Sequence, residues 1–286
     1  MIAVHDTDVH RFTAFGGARC EIHAAGVCLD DLSAAVAEVY AFEARLTRFD
    51  SGSELCRFNV RAGDRVDVSP LLEELLRVCL EAHALSDGLV NAAVLPALVA
   101  AGYDRSIELV RRRSTVMRSV PVPPPPPLPE VLSVGRGWAR LAHGHAVDLG
   151  GVGKGWLADR LGERLENAVI NLGGDLRAIG RGPVGAGWLV ALCDGGVVRV
   201  DDAGIATSGV GGRRWTGGHH LIDPRTGRCA DTDVEAVSVV AGDAFTAEVL
   251  AKAAVLIGAE RTPGWLSGRG AQRIALRRSE IRQGVA

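Results

Sequence analysis

Short apolar runs broken by glycines lie at both ends of the chain, and helical spacing lies between them. Residues 12–28 predict a pair of strands, interrupted at Gly16-Gly17 and Gly26. Asp30 stands where an N-cap belongs, and Leu32, Val36, Val39, Phe42 and Leu46 follow on one helical face. Residues 47–59 are polar and read as an irregular loop. Ser69-Pro70 combines a cap with a first-turn proline and predicts a helix to about Leu85, ended by Asp87-Gly88. From Trp138 the pattern is strand-like as far as Val147-Asp148. A glycine-rich turn follows, then a helix from about Lys154 to Leu165. Residues 168–210 read as a meander, 234–241 as a strand, 244–257 as a helix stopped by Gly258, and 273–278 as a final strand. Strands and helices mix without regular alternation, so the predicted class is α+β.

Residues 119–129 contain seven prolines, five of them consecutive. They read as an extended surface insertion within one domain covering residues 1–286.

Composition narrows the function classes. The hydrophobic fraction is 47% and the charged fraction 23%, which is ordinary globular usage and excludes general disorder. The formal net charge of -2 supplies no basic field for nucleic acid or an anionic membrane. Thirty-six glycines with only 5% aromatic residues point to tight turns and close backbone approach. The six cysteines form no zinc-type spacing. The first residues lack a basic start followed by an apolar run. The longest apolar stretch, Ala92 to Ala101, is too short for a bilayer and contains Pro96. Free thiols in a reducing cytoplasm, with no membrane span, are therefore expected.

Four segments carry chemistry. Asp148-Leu-Gly-Gly-Val-Gly-Lys-Gly155 joins a strand to a helix N-terminus, a place suited to an anion. It lacks the P-loop and dinucleotide glycine spacings, so it reads equally well as a packing turn. Ile170-Asn-Leu-Gly-Gly-Asp-Leu-Arg177 lets a strand end approach another backbone closely, and Asp175 is read as pairing with Arg177. Gly218-His-His-Leu-Ile-Asp-Pro-Arg-Thr-Gly227 is turn chemistry beside two histidines, either structural or acid/base groups. Asp243 to Lys252 places Glu248 and Lys252 one turn apart on a nearly all-apolar helix. Such a helix is buried, and a buried carboxylate needs a cation.

Taken in order, these segments resemble the FAD:protein FMN transferase family, also called the ApbE family. The resemblance rests on Phe15-Gly-Gly, Ser53-Glu-Leu-Cys-Arg-Phe-Asn59, the Asp148 turn, Asn171-Leu-Gly-Gly-Asp, Ala206-Thr-Ser-Gly209 and His220-Leu-Ile-Asp-Pro-Arg-Thr-Gly. It implies an α+β fold related to the T-fold, with mixed strands and helices around a flavin-nucleotide cleft. It implies FAD as substrate and cleavage of its pyrophosphate with Mg²⁺. FMN then passes to a Thr or Ser hydroxyl of an acceptor flavoprotein, and AMP leaves. Some members instead hydrolyse FAD to FMN and AMP.

Carried over by position, the resemblance gives Phe15, Phe49, Leu89, Val90, Asn91, Asp148, Lys154 and Ile222 as flavin-nucleotide contacts. It gives His220 and Lys154 as catalytic groups, and the places of Gly151, Glu248 and Lys252 as the metal site. The family's usual metal pair is Asp and Thr, and Asp and Thr usually stand near Asn91 and Ala93. Lys252 offers donors only and repels a cation, which argues against a bound Mg²⁺. The expectation is that Lys252 Nζ stands where the metal would. The readings left open are a transferase with an altered metal requirement, an FAD pyrophosphatase, and an FAD-binding protein without transfer activity.

Overall fold

Alternating apolar residues in seven segments build one antiparallel sheet whose spatial order follows the chain. The strands are Asp8–Ala14, Ala18–Ala24, Ala168–Leu172, Asp175–Ile179, Asp202–Gly209, Val234–Ala241 and Arg273–Arg278. The computed structural model describes residues 7–113 and 122–279. Register places Ile22 opposite Ile170 and Ile205 opposite Val240, so branched apolar residues pair across neighbouring strands.

Between the second and third strands the chain leaves the sheet from residue 25 to 167. This excursion holds the helices Leu29–Leu46, Glu54–Val60 and Pro70–Leu85, and a small sheet of Arg65–Asp67, Trp138–Leu141 and Leu132–Gly135. Leu32, Val39, Phe42, Leu72, Leu75 and Leu76 from these helices join Ile22, Ile170, Leu157 and Leu161 in one core.

Several expected boundaries hold to the residue. Ser69 Oγ accepts the Leu72 N–H and caps Pro70–Leu85, and both Asp87 and Gly88 take positive φ at its end. The 234–241 strand, the Ala244–Ile257 helix ended by Gly258 and the 273–278 strand also stand as expected. Others differ. The first helix starts at Leu29 with Cys28 as N-cap, so Asp30 lies in its first turn, where a carboxylate meets the helix dipole. The polar stretch 47–59 contains the Glu54–Val60 helix, capped by Ser53 Oγ on the Cys56 N–H and anchored by buried Leu55 and Phe58. Val147-Asp148 is not a strand. The Asn59 amide takes the place of a strand neighbour, exchanging 2.9 Å hydrogen bonds with both the N–H and the C=O of Val147. Within the meander, Trp188–Ala191 and Val197–Val200 form a separate hairpin. Of the proline segment, residues 119–121 lie outside the described residues. Residues 122–127 have no regular structure, and Leu128–Val131 is a short helix with Leu128 fully buried, so the segment's end is packed rather than superficial.

Two helices position the site. Gly153–Gly162 and Ala244–Ile257 pack side by side against the sheet. The Asp159 carboxylate of the first accepts the N–H groups of Ala244 and Phe245, each at 2.8 Å, and so caps the second. Glycine makes the approach feasible: a Cβ on Gly204 would lie 1.9 Å from the carbonyl carbon of Asp243, and one on Gly155 would lie 2.6 Å from the Ala244 carbonyl oxygen. Gly204→Ala is therefore expected to lose roughly 1–3 kcal/mol or more through overpacking, read by chemical denaturation. Gly264→Ala, where nothing lies within 4 Å, should stay within about 1 kcal/mol of the parent.

Candidate active site

The turn from Asp148 to Gly155 is the hub of the site. Asp148 is tied to the excursion by its N–H to the Ala92 carbonyl, 2.9 Å, and by Oδ2 to Arg48 Nε, 3.0 Å. Its Oδ1 accepts the Gly150 N–H at 2.6 Å and shapes the glycine turn. The turn's own N–H groups are largely used inside the protein. Val152 and Gly153 donate to the Leu149 carbonyl, and Gly155 donates to Glu248 Oε2.

Four charged side chains close on this turn. Glu248, 1% exposed, bonds Lys154 Nζ through Oε1 at 2.9 Å. Lys154 Nζ also bonds Asp175 Oδ2. Lys252 Nζ donates to the Gly151 carbonyl at 2.7 Å and stands 3.6 Å from Glu248 Oε1. Asp175 thus pairs with Lys154. The expected Asp175–Arg177 pair does not form, and Arg177 instead bonds Asp202. Burial opposes the charge on Lys154, but Asp175 and Glu248 outweigh it and hold its pKa above the usual value. Burial likewise opposes the Glu248 carboxylate, and Lys154 and Lys252 overcome it and hold its pKa low. Burial, with the Glu248 charge adding to it, pushes Asp175 up to about 6.

His220 stands across the cleft. Its backbone N–H donates to the Arg213 carbonyl at 3.1 Å, and its ring Nδ1 is buried with no partner among the described residues. Burial lowers its pKa well below the ordinary value, and the Arg213 and Lys252 charges add to that, so the ring is neutral at pH 7. The turn beside it is a hairpin: Ile222–Asp223 pairs with Arg228–Cys229, and Arg225 Nη2 holds Asp223 Oδ2 at 2.7 Å.

The cleft has two chambers. One is lined by Leu89, Val90, Asn91, Asp148, Gly151, His220, Ile222 and Lys252, among others. The second is lined by Phe15, Phe49, Asp148 and Lys154, with Phe42 and Arg48. Asp148, Gly150, Tyr103 and Arg213 border both. Glu248 lies beneath a wider groove that it shares with Lys154, Lys252 and His220. The structure therefore brings all the sequence-derived site residues to one region. Asn91 has its amide engaged at both ends, Oδ1 accepting the Ala93 N–H and Nδ2 donating to the Pro126 carbonyl. Sequence reasoning missed Arg48, Tyr103 and Arg213. No motif marks them, since they come from three irregular stretches that only the fold unites.

A family model described as the ApbE family matches residues 16–275. The chain belongs to the ApbE family. Over 151 residues it is 34% identical to the FAD:protein FMN transferase of Treponema pallidum, covering 42% of this chain and 40% of that protein. It is 22% identical over 258 residues to that of Haemophilus influenzae, covering 76% and 70%. The matched segment spans about two-fifths of the Treponema and Klebsiella pneumoniae relatives. Among solved structures, the apo flavinyl transferase ApbE of Pseudomonas stutzeri superposes with TM-score 0.76 at 19% identity, over 96% of this chain and 94% of that one. The ApbE protein of Thermotoga maritima gives 0.77 at 22% identity, over 96% and 97%. The α+β architecture expected from the sequence is thus that of ApbE structures.

The residues present do not fit the metal that the ApbE resemblance implies. The ammonium of Lys252 sits on the Gly151 carbonyl, and no group of three His, Cys, Asp or Glu suited to a metal occurs among the described residues.

Two measurements probe this site. Lys154→Met strands the buried Asp175 carboxylate and removes one of the two cations beside Glu248, and is expected to cost roughly 3–5 kcal/mol in denaturant unfolding. His220 titrates normally when unfolded and resists protonation when folded, so its contribution to stability is lost as pH falls below about 6.5. Asp175, raised to about 6, acts in the opposite direction over the same window. The difference in unfolding free energy between parent and His220→Gln, followed from pH 7 to 5, isolates the histidine: the variant should lose less stability on acidification.

Proposed function

We propose that this chain is an FAD:protein FMN transferase that moves FMN from FAD to a Thr or Ser hydroxyl of an acceptor flavoprotein and releases AMP. The observation that carries the reading is the convergence, in an ApbE fold, of a neutral His220 and the Lys154/Lys252 ammonium groups on one two-chambered cleft. A dinucleotide has two planar ends and a charged middle, which matches two partly apolar chambers meeting at a charged border.

In the proposed reaction the acceptor hydroxyl oxygen attacks the phosphorus on the FMN side of the pyrophosphate. A new P–O ester bond forms, the bond to the AMP phosphate breaks, and AMP leaves with the bonding electrons. His220 Nδ1, neutral and unpartnered, takes the hydroxyl proton. Lys252, fixed by the Gly151 carbonyl, supplies positive charge beside the transferring group. Phosphoryl transfer depends mainly on positioning and charge stabilisation, which fixed side chains can provide. On this reading the chain works without Mg²⁺. The six free cysteines support a reducing, cytoplasmic setting, and no helix among the described residues is long and apolar enough to cross a membrane.

The test incubates the protein with FAD and an acceptor flavoprotein domain, with Mg²⁺ or with EDTA. Denaturation-resistant flavin fluorescence on the acceptor, with one AMP per flavin and no loss in EDTA, is expected. AMP and FMN without labelled acceptor would make it a hydrolase, and bound FAD with neither product would make it a binding protein. Lys252→Thr restores an oxygen donor and removes the ammonium. It should bind Mg²⁺ measurably by calorimetry where the parent does not, and an unchanged response would reject the ammonium-for-metal reading.

A further inference from the structure

Arg48 is a buried arginine with one nitrogen left unpartnered among the described residues. Its side chain is 6% exposed and turns inward from the stretch between the Leu29–Leu46 and Glu54–Val60 helices. The guanidinium packs against two adjoining rings, 4.2 Å from the Phe49 centroid and 4.4 Å from that of Tyr103, the two centroids being 5.8 Å apart. Nε bonds Asp148 Oδ2 at 3.0 Å, and Nη1 donates to the Tyr103 carbonyl at 2.8 Å. Nη2 is buried with no partner among the described residues. These four contacts fix the plane, and the remaining nitrogen belongs to a residue lining the chamber bounded by Phe15, Gly150, Lys154 and Arg213.

We infer that Arg48 is a substrate-binding residue whose Nη2 donates to a phosphate oxygen of the FAD pyrophosphate, an inference that rests on the proposed reading of this cleft. Several of the donors suggested by sequence for that role are already committed. The N–H groups of Gly150, Val152, Gly153 and Gly155 bond within the protein, and Lys154 Nζ is held by Asp175 and Glu248. Lys154 and Lys252 face Asp175 and Glu248, so part of their charge is answered inside the protein, and a dianion at this border gains from further cations. Arg48 answers only one carboxylate, Asp148, which also accepts from Gly150. Arg213 stands on the same chamber wall, with Nη2 donating to the Phe15 carbonyl at 3.2 Å, and adds a second guanidinium. A planar guanidinium held by two aromatic rings, a carboxylate and a carbonyl loses little freedom on binding and matches phosphate geometry.

The test measures dissociation constants of FAD, ADP and riboflavin for the full chain and for Arg48→Met and Arg48→Lys. Arg48→Met keeps the apolar stem and removes the donors. FAD and ADP should weaken about 10–100-fold, the range of one charge-assisted hydrogen bond, while riboflavin stays within about twofold. Arg48→Lys should fall between. Unchanged FAD affinity in a folded variant overturns the inference. So does an equal loss for riboflavin, which would put the contact on the flavin ring. Should Arg48→Met fail to fold by circular dichroism and melting, Arg48→Lys decides by the same comparison. A parent chain that takes up neither FAD nor ADP would instead remove the FAD reading of the cleft.

Discussion

Everything around the cleft is arranged to keep one carboxylate charged inside the protein. Glu248 is 1% exposed on a helix whose other inward residues are Ala, Val and Leu. An isolated carboxylate there would be protonated rather than tolerated. It stays ionised because Gly155 N–H, Lys154 Nζ and Lys252 Nζ reach it from the turn and from its own helix. Those bonds couple the Ala244–Ile257 helix to the start of the Gly153–Gly162 helix. The mouth of the cleft is therefore set by the same interactions that satisfy a buried charge.

This constraint explains the glycines. Gly155 must bring its N–H to Glu248 while passing the Ala244 carbonyl, and a Cβ there would meet that oxygen at 2.6 Å. Gly151 has to offer its carbonyl to Lys252, and a Cβ on it would stand 3.1 Å from the ammonium. The Asp148 turn thus serves packing and chemistry together. The choice between a packing turn and an anion cradle, left open by the sequence, was between two descriptions of one geometry, and the internal bonding of its N–H groups weights it toward packing.

Legibility followed locality. Ser69-Pro70, the 244–257 helix and the Gly258 stop could be read because cap, periodicity and terminator lie within one element. The convergence of Gly151, Glu248 and Lys252 was also legible, but only through the ordered motifs of a family resemblance, since 97 residues separate the turn from Glu248. The Glu54–Val60 helix was missed because its polar surroundings hid two buried anchors, Leu55 and Phe58. Val147 was misread as strand because an Asn59 side chain, 88 residues away, performs the pairing. For Asp175 the sequence offers Arg177, two residues along, as a possible partner, whereas the chain crossing supplies Lys154. Arg48 and Arg213 have no local pattern at all.

The surroundings of His220 carry the remaining step. Burial depresses its pKa, and the Arg213 and Lys252 charges depress it further, so the site holds a neutral imidazole among fixed cations. Cations close to a base weaken it, which at first argues against a proton acceptor. The weakening applies to the site before an anionic ligand enters. A pyrophosphate placed on the cationic border would offset the Arg213 and Lys252 charges and raise the His220 pKa toward its ordinary value. On the proposed function, the base would then strengthen only when the group to be transferred is in place. A divalent ion at the Lys252 position would place more positive charge nearby and work against that recovery. A single fixed ammonium and a responsive histidine are therefore mutually consistent choices for this cleft.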